Sequence, residues 1–205
     1  AVVITHPDAD HYNGLGFILR HFSPKQLWVR DRHGHDAAFK QLIHQAEELQ
    51  ILVVAPQQGL KIEAGGSENF IECVANIASE SVSSAPRESR TQANTGIIVK
   101  VCSERYCTLF PGDIGRAEEH SLLESGHNLQ GDLLLAPHHG SITSNSPEFL
   151  DAVSPNLMVV SAGRGGRGHF PHPQLGDDCR QKGITLLSTS QHGTLEAIIG
   201  RNRTQ

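Results

Sequence analysis

Long apolar runs, paired cysteines and aromatic side chains are all scarce in this sequence of 205 residues. No run approaches the roughly 18 apolar residues that a membrane-spanning helix needs. The first residues show neither the basic nor the apolar segment of a signal peptide. The 4 cysteines form no C-x-x-C pair, which argues against a zinc site built from thiolates. We therefore expect no membrane span and no cysteine-based metal site in this chain.

Aromatic residues make up only 5% of the chain, and the formal net charge is −5. One tryptophan and two tyrosines are too few to form an obvious stacking platform for nucleic-acid bases. The acidic balance argues against bulk attraction to nucleic acid and leaves room only for a local basic site. A hydrophobic content of 38% with 20 glycines is typical of a globular protein, so we expect one domain over residues 1–205.

Two of the cysteines, Cys102 and Cys107, flank a segment that suits a hairpin loop. One interpretation is a disulfide between two neighbouring strands. The other, which we favour, is a pair of half-buried side chains that behave as small apolar groups. The cysteines therefore do not settle the redox compartment.

Short apolar runs alternate with helical patterns, which predicts an α/β sandwich with covered sheets. The predicted strands are Ala1–Thr5, Gln26–Arg30, Ile51–Val54, Leu60–Ala64, Phe70–Ala75, Thr95–Cys102, Tyr106–Phe110, Leu133–Ala136, Leu157–Ser161, Ile184–Ser188 and Thr194–Ile199. The predicted helices are Gly14–Phe22, Asp36–Leu49 with Asp36 as its N-cap, Glu118–Ser125, Pro147–Val153 and Gln174–Lys182. The Ser-rich segment Ala78–Ala93 is predicted to be an exposed loop.

The first predicted strand is followed by a cluster of metal-ligand side chains: His6, Asp8, Asp10 and His11. In extended backbone the side chains of His6 and Asp8 point the same way, whereas the adjacent Asp10 and His11 point in different directions. That arrangement suits two neighbouring metal ions better than one. Gly14 follows where the chain is expected to turn sharply into a helix. The alternative is a solvated acidic turn with stray histidines.

Two later strands also end in ligand-type residues. Asp113 follows one strand past a Pro-Gly turn, and its carboxylate can bridge two cations; the alternative is that it caps the helix after Gly115. His138 and His139 follow another strand, so one imidazole can bind a metal ion while the other orients substrate. Surface histidines in a loop are the alternative there.

A Gly-rich basic segment follows the strand Leu157–Ser161. Arg164 and Arg167 are suited to phosphate oxygens, because a guanidinium binds them through two parallel hydrogen bonds. His169 or His172 can supply a further metal ligand. The alternative is a loop that is merely basic. A two-metal site assembled from loops at one edge of a sheet sandwich explains all four clusters together.

The segments THPDADHYNGL, FPGDI, LAPHHGSITS and SAGRGGRGHFPHP resemble successive blocks of the metallo-β-lactamase superfamily. The likeness covers nearly the whole chain and is strongest to the metallo-β-lactamase-like domain of the ComEC family of DNA-uptake channel proteins. It implies an αββα sandwich, a dinuclear metal site and hydrolytic chemistry. The positions that match the family's ligands are His6, Asp8, Asp10, His11, Asp113, either His138 or His139, and His172, with His169 the less favoured alternative.

The resemblance implies a nuclease that hydrolyses single-stranded DNA on the outer side of a bacterial inner membrane, as part of a larger channel protein. Two divalent ions would activate water, with Asp113 bridging them and Asp10 both binding metal and orienting the nucleophile. Arg164 and Arg167 would hold phosphate charge in the transition state. Rival interpretations are a small-ester hydrolase of the phosphorylcholine esterase or lactonase type, and a non-catalytic domain that binds DNA or a partner.

Three departures from the family pattern affect these expectations. No histidine lies between His44 and His120, so one common ligand is absent, and Asp8 stands where many members have a histidine. Both changes make the site richer in oxygen, which favours Mn²⁺ over Zn²⁺. The chain also opens inside the signature strand, so we expect a fragment that lacks the fold's first strands.

Overall fold

The computed structural model describes residues 1–32, 37–66, 68–77, 96–163 and 170–198. Its strands are β1 (Val2–Ile4), β2 (Gln26–Val29), β3 (Leu52–Val54), β4 (Lys61–Glu63), β5 (Phe70–Ile77), β6 (Gly96–Ser103), β7 (Tyr106–Phe110), β8 (Leu133–Leu135), β9 (Leu157–Val160) and β10 (Thr185–Ser188). Its α-helices are α1 (Ala9–Tyr12), α2 (Leu15–Phe22), α3 (Ala37–Glu48), α4 (Arg116–Glu124), α5 (Pro147–Val153), α6 (Pro173–Lys182) and α7 (Thr189–His192).

The chain divides into two compact units. The first unit comprises Ala1–Leu60 and Cys73–Val99, and its three-stranded sheet has the order β1-β2-β3 with parallel pairs. Parallel neighbours need a crossover connection, which helices α2 and α3 provide here. Apolar side chains of both helices and all three strands form one buried cluster that includes Leu19, Leu27 and Phe39. This packing holds the carboxyl end of β1, where the first ligand cluster begins.

The second unit comprises Lys61–Glu72 and Lys100–Gln205. Its strands β7, β8, β9 and β10 pair in that order and run parallel. They belong to a mixed seven-stranded sheet, ordered β10-β9-β8-β7-β6-β5-β4, in which β4 and β5 are antiparallel. Parallel strands end at the same edge of a sheet, so the loops after β7, β8 and β9 meet there.

The α/β class is confirmed, and most predicted elements form within a residue or two of their expected ends. The predicted strand Thr194–Ile199 is wrong over its described part, because residues 194–198 are not in a strand and are mostly exposed. The preceding residues form the one-turn helix α7 instead. Asp36 and the predicted loop Ala78–Ala93 lie outside the described residues.

The favoured interpretation of Cys102 and Cys107 is also wrong, because the two residues form a disulfide. They lie on β6 and β7, which are neighbours in the sheet and are joined by a short turn, so the two side chains are held close together. Among the helices of the described ranges, none has the length and apolar character to cross a bilayer.

Candidate metal centre

The first group of predicted ligands lies in the first unit, in the segment His6–His11, here called the signature turn. Strand β1 ends at the buried Ile4, and His6 follows with an almost fully buried side chain. Its Nε2 lies 3.7 Å from Oδ2 of Asp8, and its ring centroid lies 3.9 Å from that of His11. The prediction that His6 and Asp8 point the same way is therefore confirmed.

Asp10 and His11 are consecutive residues whose side-chain ends approach each other. Both residues lie in helix α1, and Oδ2 of Asp10 turns to within 3.6 Å of Nε2 of His11. Asp8 is the N-cap residue of α1, yet its carboxylate makes no capping hydrogen bond. The signature turn thus presents two imidazoles, each with a carboxylate next to its Nε2, which is a donor set that suits a divalent cation.

Gly14 lies in the turn between α1 and α2 and is the N-cap residue of α2, where the sequence predicted that the chain turns into a helix. Its backbone has φ −81° and ψ −11°, which are ordinary right-handed helical values that any residue adopts. The space where a side chain would begin is open. The turn therefore does not require a glycine at this position.

The second group of predicted ligands lies in the second unit and begins with Asp113, just beyond the end of β7. The alternative role for Asp113, capping of helix α4, is excluded. The N-cap of α4 is Gly115, whose N–H donates to the carboxylate of Glu118 at 2.8 Å. The Asp113 side chain is only 17% exposed, and its Oδ2 lies 3.7 Å from Nε2 of His139.

His138 and His139 lie in the 3₁₀ turn Pro137–Gly140, here called the histidine turn. Both histidines have left-handed backbones, with φ of 49° and 54°, and Gly140 follows with φ of 80°. A left-handed residue other than glycine costs about 1–3 kcal/mol and persists only where its surroundings enforce it. The N–H of His138 donates to the carbonyl of Gly112 at 3.2 Å, which joins this turn to the loop that carries Asp113.

The hydrogen bonding of His139 identifies the atom that it can offer to a metal ion. Its Nδ1 lies 2.8 Å from the main-chain carbonyl oxygen of Ser161. A carbonyl oxygen only accepts, so Nδ1 carries a proton, and in the neutral ring the lone pair is on Nε2, beside Asp113. This is the usual arrangement of a metal-binding histidine that is oriented by a main-chain acceptor. The geometry therefore favours His139 over His138 as the metal ligand.

His138 differs from its neighbour in its polar contacts. Its Nδ1 is buried and has no hydrogen-bond partner among the residues that the structure describes. A buried polar atom without a partner is costly, and an added ligand is one way to satisfy it. Its predicted role stays a prediction.

His172 is the N-cap of α6, and its Nδ1 accepts a hydrogen bond from the N–H of Gln174 at 3.2 Å. In a neutral ring with Nδ1 as acceptor, the proton is on Nε2. Metal binding through Nε2 would move that proton to Nδ1 and remove the cap. The main-chain N–H of His172 donates to the carbonyl of Gly140 at 2.9 Å, so His172 is fixed to the histidine turn. Its metal-binding role stays a prediction.

Arg164, Arg167 and His169 lie outside the described residues. The predicted phosphate-binding role of the two arginines and the alternative ligand role of His169 therefore stay predictions.

The structure adds Glu119, which the sequence analysis did not single out. Its side chain is fully buried in α4, and its carboxylate accepts main-chain N–H groups of Asn145 at 2.5 Å and Ser146 at 2.9 Å. Burial raises the pKa of Glu119, while the hydrogen bonds from Ser146 and Asn145 and the charge of Arg116 act in the opposite direction. Glu119 precedes the buried Leu122 by three residues, so helical spacing is the signal that places it on the inner face.

Comparison with known proteins finds similarity without a match to any protein-family model. ComE operon protein 3 of Bacillus subtilis (strain 168) is 23% identical over 196 residues, which cover 96% of this chain and 24% of that protein. Competence protein ComA of Neisseria gonorrhoeae is 36% identical over 105 residues, covering 51% of this chain and 15% of that protein. Recombination protein 2 of Haemophilus influenzae is 22% identical over 202 residues, which cover 98% of this chain and 22% of that protein. The chain thus spans about a quarter, or less, of the length of these relatives.

Proposed function

We propose that this chain is a metal-dependent phosphodiesterase that hydrolyses single-stranded DNA as part of a larger DNA-uptake protein. The observation that carries the proposal is the state of His139, whose Nδ1–H donates to a main-chain carbonyl while Nε2 faces the carboxylate of Asp113. In the neutral ring that arrangement leaves a lone pair beside an anion, and a divalent cation binds to both.

In this proposal the side chains of these groups bind two divalent ions, with Mn²⁺ preferred over Zn²⁺ because the donors are rich in oxygen. The proposed ligands are His6, Asp8, Asp10, His11, Asp113 and His139, with His138 and His172 as further candidates. Each of the two groups contains at least one imidazole Nε2 within 3.7 Å of a carboxylate oxygen. A pair of divalent cations, when bound, lowers the pKa of a coordinated water and polarises a phosphodiester.

The chain's own residues have separate tasks in this reaction. The carboxylate of Asp10 is 68% exposed, so it is accessible to water and can orient the attacking nucleophile and accept its proton. Asp113 is held with His139 in a less exposed place and contributes fixed negative charge. Arg164 and Arg167 are proposed to neutralise the phosphate as charge develops on it.

The biological setting rests on the relatives and on the disulfide. One relative bears the name of a competence protein, and the motif resemblance is to DNA-uptake channel proteins. The Cys102–Cys107 disulfide favours an oxidising compartment, because such bonds are rare in the cytosol. We therefore propose that the domain acts on the outer side of a bacterial inner membrane, with the membrane channel of its parent protein as partner.

The test is hydrolysis of an end-labelled single-stranded oligonucleotide by the purified chain with Mn²⁺, Mg²⁺ or Zn²⁺ over a series of salt concentrations. We expect two bound ions per chain by elemental analysis, highest activity with Mn²⁺, and rates that fall as salt rises. Asp10→Ala should abolish hydrolysis. The matched control is Asp151→Ala, because Asp151 has the same 68% exposure but forms an ion pair with Lys182 in the second unit.

Three results would contradict the proposal: a metal-loaded chain that leaves DNA intact, full activity in Asp10→Ala, or equal losses in both variants. Salt-independent hydrolysis of a phosphorylcholine ester or a lactone, without cleavage of DNA, would favour the small-ester hydrolase. Stable DNA binding without hydrolysis of any substrate would favour a non-catalytic domain.

A further inference from the structure

Glu119 is a buried charged side chain that none of the proposed catalytic steps uses. It is 0% exposed, and a buried carboxylate is costly unless its oxygens are hydrogen-bonded. The two oxygens are used separately, since Oε1 accepts from the N–H of Asn145 and Oε2 from that of Ser146. Two consecutive main-chain donors on two oxygens mean that the carboxylate holds backbone.

The backbone that Glu119 holds includes a residue in a restricted conformation. Asn145 has a left-handed backbone with φ of 64° and is almost fully buried. Its side-chain Nδ2 donates to the carbonyl of Pro137 at 3.1 Å and to that of Ser141 at 3.2 Å. Pro137 and Ser141 flank the two histidines, so a single amide group bridges the two ends of the histidine turn.

This bridge acts where the backbone energy is unfavourable. Two adjacent left-handed histidines need contacts that outweigh their strain. The amide of Asn145 supplies two of these contacts, and Glu119 fixes the backbone from which that amide extends. Without the bridge, the histidine turn can relax towards ordinary backbone angles, and the ring of His139 would rotate away from Ser161 and Asp113.

We propose that Glu119 is a positioning residue that, through Asn145, holds the histidine turn in the conformation in which Nε2 of His139 can bind metal. This inference rests on the proposed function for the metal that His139 would bind. The hydrogen bonds that hold the histidine turn do not depend on that proposal. A carboxylate is required because two N–H donors need two acceptors. Glutamine offers only one acceptor, and its NH₂ group would face an N–H.

The first test measures the geometry without metal. We expect ¹⁵N-histidine NMR of the metal-free chain at about pH 8.5, where imidazoles are neutral, to show a single Nδ1–H tautomer for His139. Glu119→Gln should give a mixture of tautomers. The matched control is Glu118→Gln on the same helix, because Glu118 is also buried but, among the described residues, accepts one N–H, from Gly115, which glutamine can satisfy.

The second test measures metal binding with Co²⁺ as the probe, through its visible absorption spectrum. Glu119→Gln should weaken Co²⁺ binding by about 10–100-fold, as is typical when a residue that orients a ligand is lost, and Glu118→Gln should leave it unchanged. Asn145→Gly tolerates the left-handed backbone and removes only the bridging amide, so it should reproduce both effects if Glu119→Gln does not fold.

The two tests separate the inference from the proposed function. A wild-type chain that binds no Co²⁺, with a His139 tautomer that still changes in Glu119→Gln, would overturn the metal and keep the positioning role. An unchanged tautomer and unchanged Co²⁺ affinity in folded Glu119→Gln, or in Asn145→Gly, would overturn the positioning role itself. Equal losses in Glu118→Gln would also overturn it, because they would indicate general damage to α4.

Discussion

The signature turn and the histidine turn offer similar donors but are built differently. Each follows a strand and places an imidazole Nε2 within 3.7 Å of a carboxylate oxygen. In the signature turn the carboxylates of Asp8 and Asp10 are 70% and 68% exposed. In the second unit the carboxylate next to His139 is that of Asp113, which is 17% exposed. The histidine turn has two residues with left-handed backbones, and the side chain of Asn145 donates a hydrogen bond to its first residue, Pro137.

This difference indicates that the two groups of candidate ligands would adapt differently to a bound ion. Exposed carboxylates stay hydrated at little cost, so those of the signature turn can adjust to a bound ion. The histidine turn has little such freedom, because its conformation is fixed before any ligand arrives. Preorganisation of this kind lowers the cost of binding at the moment when binding occurs.

The largest effect should come from removing the imidazole that the structure favours as ligand. We expect His139→Ala to reduce Mn²⁺-dependent DNA hydrolysis by at least about 100-fold, since it deletes a ligand whose Nε2 faces Asp113. His138→Ala should cost less than about 10-fold, because that ring is not oriented towards Asp113 by a main-chain acceptor. Rate measurements at saturating metal check both values, and a larger loss for His138→Ala would reverse the assignment.

A smaller effect, on the stability of the fold, should come from substituting Gly140 in the histidine turn. Gly140 has φ of +80°, and a Cβ there would lie 2.9 Å from Cβ of Pro171. Gly140→Ala should therefore lower the free energy of unfolding by about 2–4 kcal/mol, from backbone strain and overpacking.

Gly14→Ala is the matched control outside both turns, because a Cβ there would meet no atom within 4 Å and the backbone is ordinary. It should change the free energy of unfolding by no more than about 0.5 kcal/mol. Urea denaturation checks both variants. Equal losses in the two variants would contradict the conclusion that the backbone of the histidine turn is constrained.

The smallest effect concerns the hairpin of β6 and β7, the second strand of which leads to Asp113. Replacing Cys102 and Cys107 together by serine opens a short covalent loop, so the free energy of unfolding should fall by about 2 kcal/mol. Urea denaturation under oxidising conditions measures the loss. If a reductant lowers the stability of the wild type but not of the double variant, the disulfide is responsible. Equal stability of the wild type and the double variant under oxidising conditions would show that the disulfide does not stabilise the fold.

The sequence predicted the parts of the site that are local. His6, Asp8, Asp10 and His11 are close in the chain, and Asp113 and the pair His138 and His139 follow apolar strands, so periodicity and position were enough to select them as candidates but not to choose between the two histidines. The sequence did not predict the support of the histidine turn, because Glu119 and Asn145 are 26 residues apart and meet only through tertiary packing. It also failed over residues 194–198 of the predicted strand Thr194–Ile199, which are mostly exposed and do not form a strand.

Two of the hydrogen bonds between the segments that follow β7, β8 and β9 join main-chain atoms only. The N–H of His138 reaches the carbonyl of Gly112, and the N–H of His172 reaches the carbonyl of Gly140. Such bonds do not depend on which side chains the loops carry. Replacing the imidazole of His138 or His172 by a carboxylate, in order to change the metal preference, should therefore leave these two main-chain hydrogen bonds in place.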